Sequence, residues 1–215
     1  MKNFFELFFY KSVNSTNDKL KELKSINDKK NIALFSKTQQ KGRGRSSNTW
    51  FSQDGDLTCS FLINKELSFT ELGKINIIIV NILISLFLKF NITKRVKYKW
   101  PNDILISERK ISGILIETFS KDKVIESFVI GIGINVISNP ILKTNKSISM
   151  TNLGIEVEPL TIFFYLIREI EIFFKKFDKL DFIELCACLN KNFYKVSEKI
   201  EIKFNNKIIE GFFKQ

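Results

Sequence analysis

The sequence predicts an α+β protein, a mixed sheet with helices packed on it, followed by a short C-terminal β module. Three observations carry this prediction. Strand-like runs outnumber helical ones over the first two thirds of the chain, in a mixed order. Two later segments, Pro159–Phe177 and Phe182–Asn190, carry helical apolar spacing. At the end, Lys199–Phe204 and Lys207–Phe213 flank Asn205-Asn206, a small hairpin signal. A length of 215 residues fits one domain with a small appendix, drawn here as residues 1–192 and 193–215. With 44% hydrophobic residues the chain can bury a sizeable core, which excludes a disordered or fibrous class.

Phe4–Tyr10 reads as the first strand. Glu6 interrupts its apolar run and no small-residue cleavage site follows, so it is no signal peptide. Ser15-Thr16-Asn17-Asp18 offers hydroxyl and amide side chains to cap a helix running to about Leu23. Ile32–Ser36 is a short buried strand, and the polar, basic Thr38–Asn48 a loop. Leu57–Ile63 is a strand and Thr70–Phe90 the long helix. The apolar heart of that helix, Ile75–Leu88, is broken by Asn76, Asn81 and Ser85. It falls short of the ~18–20 residues a membrane span needs, so a buried helix is expected. Val96–Trp100 alternates and stops at Pro101, which cannot continue a ladder, and Asn102-Asp103 makes the turn. Ile104–Ile106 and Lys110–Phe119 pair around Ser107-Glu108-Arg109. Val124–Val136 is a strand entering a Gly-punctuated segment, and Leu142–Asn152 is a loop.

The absence of histidine removes Ser-His-Asp and Cys-His relays and His-ligated zinc or haem. Cys59, Cys186 and Cys188 are an odd, badly spaced set, read as buried, reduced thiols of a cytoplasmic protein. The net charge of +11 invites a nucleic-acid reading, but the excess is nearly all diffuse Lys, with Arg confined to five positions. Compositional bias on a solvated surface accounts for most of it.

Four segments carry candidate chemistry. In Gln39-Gln40-Lys41-Gly42-Arg43-Gly44-Arg45, followed by Trp50, glycines allow close backbone approach and arginines supply forks for phosphate or carboxylate. A flexible basic loop or an Arg-Gly nucleic-acid tract would read the same way. Lys99-Trp100-Pro101-Asn102-Asp103 puts Asn and Asp at a sheet rim, and is equally an ordinary turn. In Arg109-Lys110-Ile111-Ser112-Gly113-Ile114-Leu115-Ile116-Glu117, Lys110 begins a mostly apolar strand where Gly113 leaves room for a ligand; a hairpin with a surface Lys is the alternative. Gly131-Ile132-Gly133-Ile134-Asn135 lacks the third Gly and the following helix of a dinucleotide fingerprint, and fits a strand passing beneath a ligand.

In this order, GRGR with a nearby Trp, KWPND, K-x-x-G and G-x-G-x-N resemble the catalytic domain of the biotin protein ligases. Ser15-Thr16-Asn17 matches that family's helix start. The resemblance covers about Phe9 to Val136, and its members share a biotin/lipoate ligase-like catalytic domain. It implies ATP-dependent attachment of biotin to a Lys of a biotin carboxyl carrier protein through biotinyl-AMP. Such chemistry needs positioning and positive charge rather than an imidazole. By resemblance, Ser15, Thr16, Asn17, Gln39, Arg43, Gly44, Arg45, Lys110 and Gly113 bind biotin. Trp50, Asn102, Gly131, Gly133 and Asn135 take the nucleotide side. Lys110, Arg45 and Asp103 are the catalytic candidates, Lys110 bridging carboxylate and α-phosphate and Asp103 orienting or deprotonating the acceptor amine. ATP, biotin and Mg²⁺ are the implied small molecules, with no metal held by the protein alone.

The chain departs from the family pattern in Ser46-Ser47-Asn48, where another Gly and a basic residue are usual, which bears on how tightly the adenylate is held. The catalytic pattern starts near Met1, so no DNA-binding head, repressor role or specific DNA binding is expected, and no membrane association. The C-terminal module is expected to be a short, incomplete SH3-like unit. The oligomeric state is monomer or homodimer. A lipoate or octanoyl ligase or transferase of the same superfamily, and a basic nucleic-acid-binding protein, are the alternative readings.

Overall fold

The computed structural model describes residues 3–26, 30–46, 48–92, 96–140, 146–195, 199–204 and 207–212. An eight-stranded mixed sheet forms its centre. In chain order, β1 (Glu6–Val13) leads through α1 (Thr16–Ile26) to β2 (Ile32–Gln39), which pairs with it in parallel. β3 (Leu57–Ile63), the two-residue β4 (Leu67–Ser68) and the long helix α2 (Leu72–Lys89) follow. Then come β5 (Val96–Lys99), β6 (Asp103–Ile106), β7 (Arg109–Lys121) and β8 (Val124–Ile134). The strand order is β1-β2-β3-β8-β7-β6-β5, with β4 pairing β8. Helices α3 (Pro159–Lys175) and α4 (Phe182–Asn190) come next. β9 (Lys199–Phe204) and β10 (Lys207–Phe212) form a separate antiparallel pair.

The alternation of β3 explains why it is buried on both faces. Cys59, Phe61 and Ile63 point into the main core with α2 and α3, where Phe61 and Phe163 are fully buried. Leu62 points the other way, joining Leu20 of α1, Ile32, Leu34 and Val129 in a smaller cluster. Ser60 shares that second face, directly beneath the start of α1. Burial of Ile75, Ile78, Ile79, Ile82, Leu83, Leu86 and Phe87 of α2 follows the i, i+3, i+4 rhythm of a core-facing stripe. With its preceding turn, Phe69–Lys89, this helix is long and apolar enough by itself to cross a membrane, contrary to the expectation that it falls short. In the fold its apolar stripe is instead covered by the sheet, α3 and α4.

The helix starts are capped by chemistry visible in the sequence. Ser15 Oγ accepts from Asp18 N at 3.4 Å, and the next free amide, Thr16 N, donates to Gln39 Oε1 at 2.8 Å. Asp181 caps α4 through Ile183 N and Glu184 N, and Pro159 opens α3.

Several boundaries differ from expectation. β2 continues through Thr38 and Gln39, because register with Ser12 and Val13 of β1 supplies ladder partners that local polarity hides. α1 extends to Ile26. Trp100 lies outside β5 with its side chain exposed, and the Trp100–Pro101 peptide is cis. Asp103 opens β6 opposite Lys99, so it belongs to a strand and not to the turn. Among the thiols only Cys59 is buried; Cys186 is half-buried and Cys188 exposed, because α4 packs only lightly. Asn205-Asn206 and Phe213 of the expected hairpin, and residues 142–145 of the expected loop, lie outside the described residues.

Candidate active site

One cavity of about 390 Å³ opens where β2, β7 and β8 meet the start of α1 and the Gly42–Trp50 loop. Every residue singled out in the four motifs and in Ser15-Thr16-Asn17 as a site candidate lines it. They come together from five separate stretches because the sheet order sets β3 and β8 between β2 and β7.

At one end Gln39 Oε1 accepts from both Thr16 N and Thr16 Oγ1, at 2.8 and 3.0 Å. Behind them Ser60 Oγ approaches Thr16 Oγ1 at 2.7 Å and Asn17 Oδ1 at 2.6 Å. Thr16 has given its proton to Gln39, so the single Ser60 proton is divided between these two acceptors. Asn17 Nδ2 donates to Glu117 Oε2 at 2.7 Å. The Asn17 amide therefore has one permitted orientation. Gly131 packs against it: a Cβ there would stand 2.3 Å from Asn17 Oδ1. Gly131, grouped above with the nucleotide side, thus lies beside the Ser-Thr-Asn end.

At the other end Trp50 lies flat on β8. A Cβ at Gly133 would fall 2.3 Å from its indole, and one at Gly113 would fall 3.0 Å from it. Lys110 Nζ stands 5.4 Å from the centroid of the same ring. It also stands 2.7 Å from Asp103 Oδ1, an ion pair at charge contact without hydrogen-bond alignment. Both side chains are about four-fifths shielded, at 19% and 18% exposure. Among the described residues Asp103 is the one carboxylate lining this cavity.

The described residues of the GRGR loop fold back as a hairpin. Trp50 N donates to Gly42 O at 2.9 Å and Gly44 N to Asn48 O at 2.7 Å. Its two arginines differ. Arg43 Nε and Nη2 donate to Asp18, and Nη2 also reaches both Glu117 oxygens at 3.0 and 3.1 Å. Arg45 lines the cavity and pairs with no carboxylate among the described residues. Arg43 is thus engaged in tethering the loop, while the Arg45 fork is available to a ligand.

Two predicted residues have their side chains engaged with the backbone. Asn102 Nδ2 donates to Ile114 O at 3.2 Å, locking the rim to β7. Asn135 Nδ2 donates to Lys110 O and Ile148 O, both at 3.2 Å, pinning the 146–150 segment beside Lys110. Tyr98 donates to Pro101 O at 2.8 Å and takes a bond from Asn76 Nδ2. Burial pushes its phenol far above its usual range, so it is a neutral donor here.

Sequence reasoning gave no site role to Ser60, Glu117, Asp18 or Asp56, although Asp18 and Glu117 lie in segments it singled out. Asp56 is buried, and its Oδ1 accepts from the successive amides of Val136, Ile137 and Ser138 at 3.0 to 3.1 Å. Its Oδ2 accepts from Gln53 N at 3.2 Å and from Ser138 Oγ. This carboxylate holds the chain as it leaves Asn135. Burial alone would raise the Glu117 carboxyl, but hydrogen bonds from Lys21 and Asn17 and the charge of Arg43 outweigh it and hold it below the usual glutamate range.

Comparison with known proteins shows the family. The profile of the Biotin/lipoate A/B protein ligase family matches residues 9–135. The bifunctional ligase/repressor BirA of Escherichia coli is 31% identical over 175 residues, covering 78% of this chain and 53% of that protein. The biotin–[acetyl-CoA-carboxylase] ligase of Paracoccus denitrificans is 25% identical over 108 residues, covering 50% of this chain and 45% of that protein. The chain thus spans about half the length of these relatives. The solved biotin protein ligase from Aquifex aeolicus in complex with biotin and ATP superposes with a TM-score of 0.77 at 28% identity, covering 96% of this chain and 86% of that one. The profile match takes in the Ser-Thr-Asn start, the GRGR loop, the Lys110 strand and the Gly-x-Gly-x-Asn strand, and on that ground the chain belongs to the Biotin/lipoate A/B protein ligase family.

Proposed function

We propose that this protein joins biotin to a lysine of a biotin carboxyl carrier protein at the expense of ATP. The observation that supports it is a single cavity lined by a polar end suited to a neutral ring system and a cationic end suited to phosphate. In the first step a biotin carboxylate oxygen attacks the α-phosphorus of ATP. A new P–O bond forms, the bond to the β-phosphate oxygen breaks, and pyrophosphate leaves. In the second step the acceptor amine attacks the carbonyl of biotinyl-AMP. The amide forms, AMP leaves, and the amine gives up a proton.

No enzyme nucleophile is needed, so the residues act by position and charge. Thr16, Asn17 and Gln39 orient the biotin head. Lys110, at the cationic end, stabilises the carboxylate and the α-phosphoryl oxygens together. Arg45 adds a second cation from the loop. Asp103 holds Lys110 in place before ATP binds and orients the incoming amine afterwards. Trp50 walls the nucleotide side, and its Nε1, a buried donor without an acceptor among the described residues, suits a ligand oxygen. Gly113 and Gly133 keep that wall close to the strands.

Among the described residues no three acidic or thiol side chains form a metal cage. Mg²⁺ would be carried mainly by the nucleotide phosphates, and Asp103 is the carboxylate among the described cavity-lining residues that could hold it. The β9–β10 pair forms its own small sheet, and we assign it to a C-terminal module over residues 193–215, beside a catalytic unit over 1–192.

A nucleic-acid role is disfavoured by the engagement of Arg43, half the arginine of the loop, in ion pairs within the fold. Biotin and lipoate are separated by incubating the protein with each acid and Mg-ATP and measuring the acyl-adenylate. Biotinyl-AMP in excess supports the proposal; lipoyl-AMP in excess overturns it in favour of the lipoate branch of the family.

A further inference from the structure

The Glu117 carboxylate accepts four hydrogen bonds from three side chains, two on α1 and one on the GRGR hairpin. Its Oε2 accepts from Asn17 Nδ2 at 2.7 Å and from Arg43 Nη2 at 3.0 Å. Its Oε1 accepts from Lys21 Nζ at 2.8 Å and from Arg43 Nη2 at 3.1 Å. Glu117 sits on β7 in the middle of the sheet, paired with Val129, and is therefore the fixed member of the group. Asn17 belongs to the cavity wall on α1. Arg43 belongs to the GRGR hairpin, next to the point where Trp50 N closes onto Gly42 O.

Two consequences follow from one charge. A flipped Asn17 amide would set its oxygen against the Glu117 carboxylate and its nitrogen against Ser60, so the negative charge fixes which face Asn17 offers to the cavity. The same charge is one of two anchors for Arg43, the other being Asp18. Loss of it loosens the Asn17 orientation and the loop tether together.

We propose that Glu117 is a positioning residue that couples recognition at the Ser-Thr-Asn end of the cavity to closure of the Gly42–Trp50 loop. Ligand held by a correctly turned Asn17 is held under a tethered loop, and either condition favours the other. The inference rests on the biotin reading of the cavity. Arg43 is 39% exposed, so solvent and salt reduce the coupling without abolishing it.

The test is the rate at which biotinyl-AMP, formed on the full chain from biotin and Mg-ATP, dissociates into an excess of unlabelled biotin. Glu117→Gln keeps an acceptor for Asn17 but removes the charge, and is expected to speed release about tenfold. Arg43→Ala, which alters an exposed side chain, is expected to speed it comparably and serves if Glu117→Gln does not fold. The double variant is expected to release no faster than the quicker single one, and the effects to shrink in high salt. Release at the wild-type rate in either variant, or strictly multiplicative effects in the double variant, overturns the coupling while leaving the ligase reading intact. A wild-type protein that makes no biotinyl-AMP overturns that reading, and the coupling falls with it.

Discussion

Replacing Lys110 by Ala removes the cation that stands at charge contact with Asp103 in the cavity and beside the Trp50 ring. Two effects separate cleanly. Lys110 is 19% exposed, so its charge acts across a poorly solvated gap. A positioned donor of this kind stabilises developing oxyanion charge by about 3–4 kcal/mol, or about 10²–10³-fold in rate. The fold loses less, because Asp103 left without its partner costs about 1–3 kcal/mol. For a chain of this size that lowers Tm by about 2–4 °C per kcal/mol. Biotin-dependent exchange of labelled pyrophosphate into ATP reads the first step, and a thermal scan reads the second effect. The expected result is an exchange rate lower by about 10²–10³-fold in a protein that is still folded at 25 °C. Lys110→Arg keeps the charge but replaces a point cation with a rigid fork, and should recover only part of the rate. Exchange within about threefold of wild type in a folded Lys110→Ala protein would refute the role, since about 0.7 kcal/mol is too little for a bridging cation.

Gly133→Ala puts a methyl into the Trp50 ring and should destabilise by about 1–3 kcal/mol; because the only other tryptophan, Trp100, is exposed, a change in the buried component of the emission reports the displacement, and an unchanged spectrum contradicts the packing. Asp56→Ala strips the acceptor from three successive amides, that of Val136 buried, and should cost about 3 kcal/mol or more in urea denaturation, whereas a loss below about 1 kcal/mol would mean that water serves those amides as well. Ser60→Ala leaves the Asn17 carbonyl without its donor, so biotin affinity by calorimetry should fall about three- to tenfold with the fold retained. Glu117 has a carboxyl held below the usual range, so it contributes stability that is complete above the ordinary glutamate pKa and lost as pH falls through its lowered folded value. The stability gap between wild type and Glu117→Gln should therefore narrow as pH drops from about 6 to about 3, and a gap that widens on acidification contradicts the assignment.

The parts of the site that face the ligand were legible because they are locally odd. Two glycines alternating with two arginines, a Trp-Pro-Asn-Asp break and a Gly-x-Gly strand all violate the rules of ordinary elements, and such violations collect where function does. The residues that hold them were not legible. Asn17 and Glu117 are 100 positions apart, and nothing in the local sequence around Glu117 distinguishes it from any charged residue on a strand. Ser60 sits in an apolar run and reads as a neutral interruption until α1 is seen lying across β3. Asp56 follows Gly55 in what looks like a simple turn, and its three amide partners come from the segment just past the end of β8. The same limit governs the fold. Central strands and the long helix announced themselves by hydrophobic pattern, whereas Gln39 and Asp103 were misplaced because their strand partners lie elsewhere in the chain.

The central claim is that one cavity activates biotin and passes it to a carrier lysine. The most direct measurement mixes the purified protein with biotin, Mg-ATP and a biotin carboxyl carrier domain, and follows intact mass and released AMP together. The account predicts a carrier heavier by one biotin on a single lysine, with one AMP released for each biotin attached and none when biotin is omitted. A carrier of unchanged mass, or AMP released without regard to biotin, would contradict it.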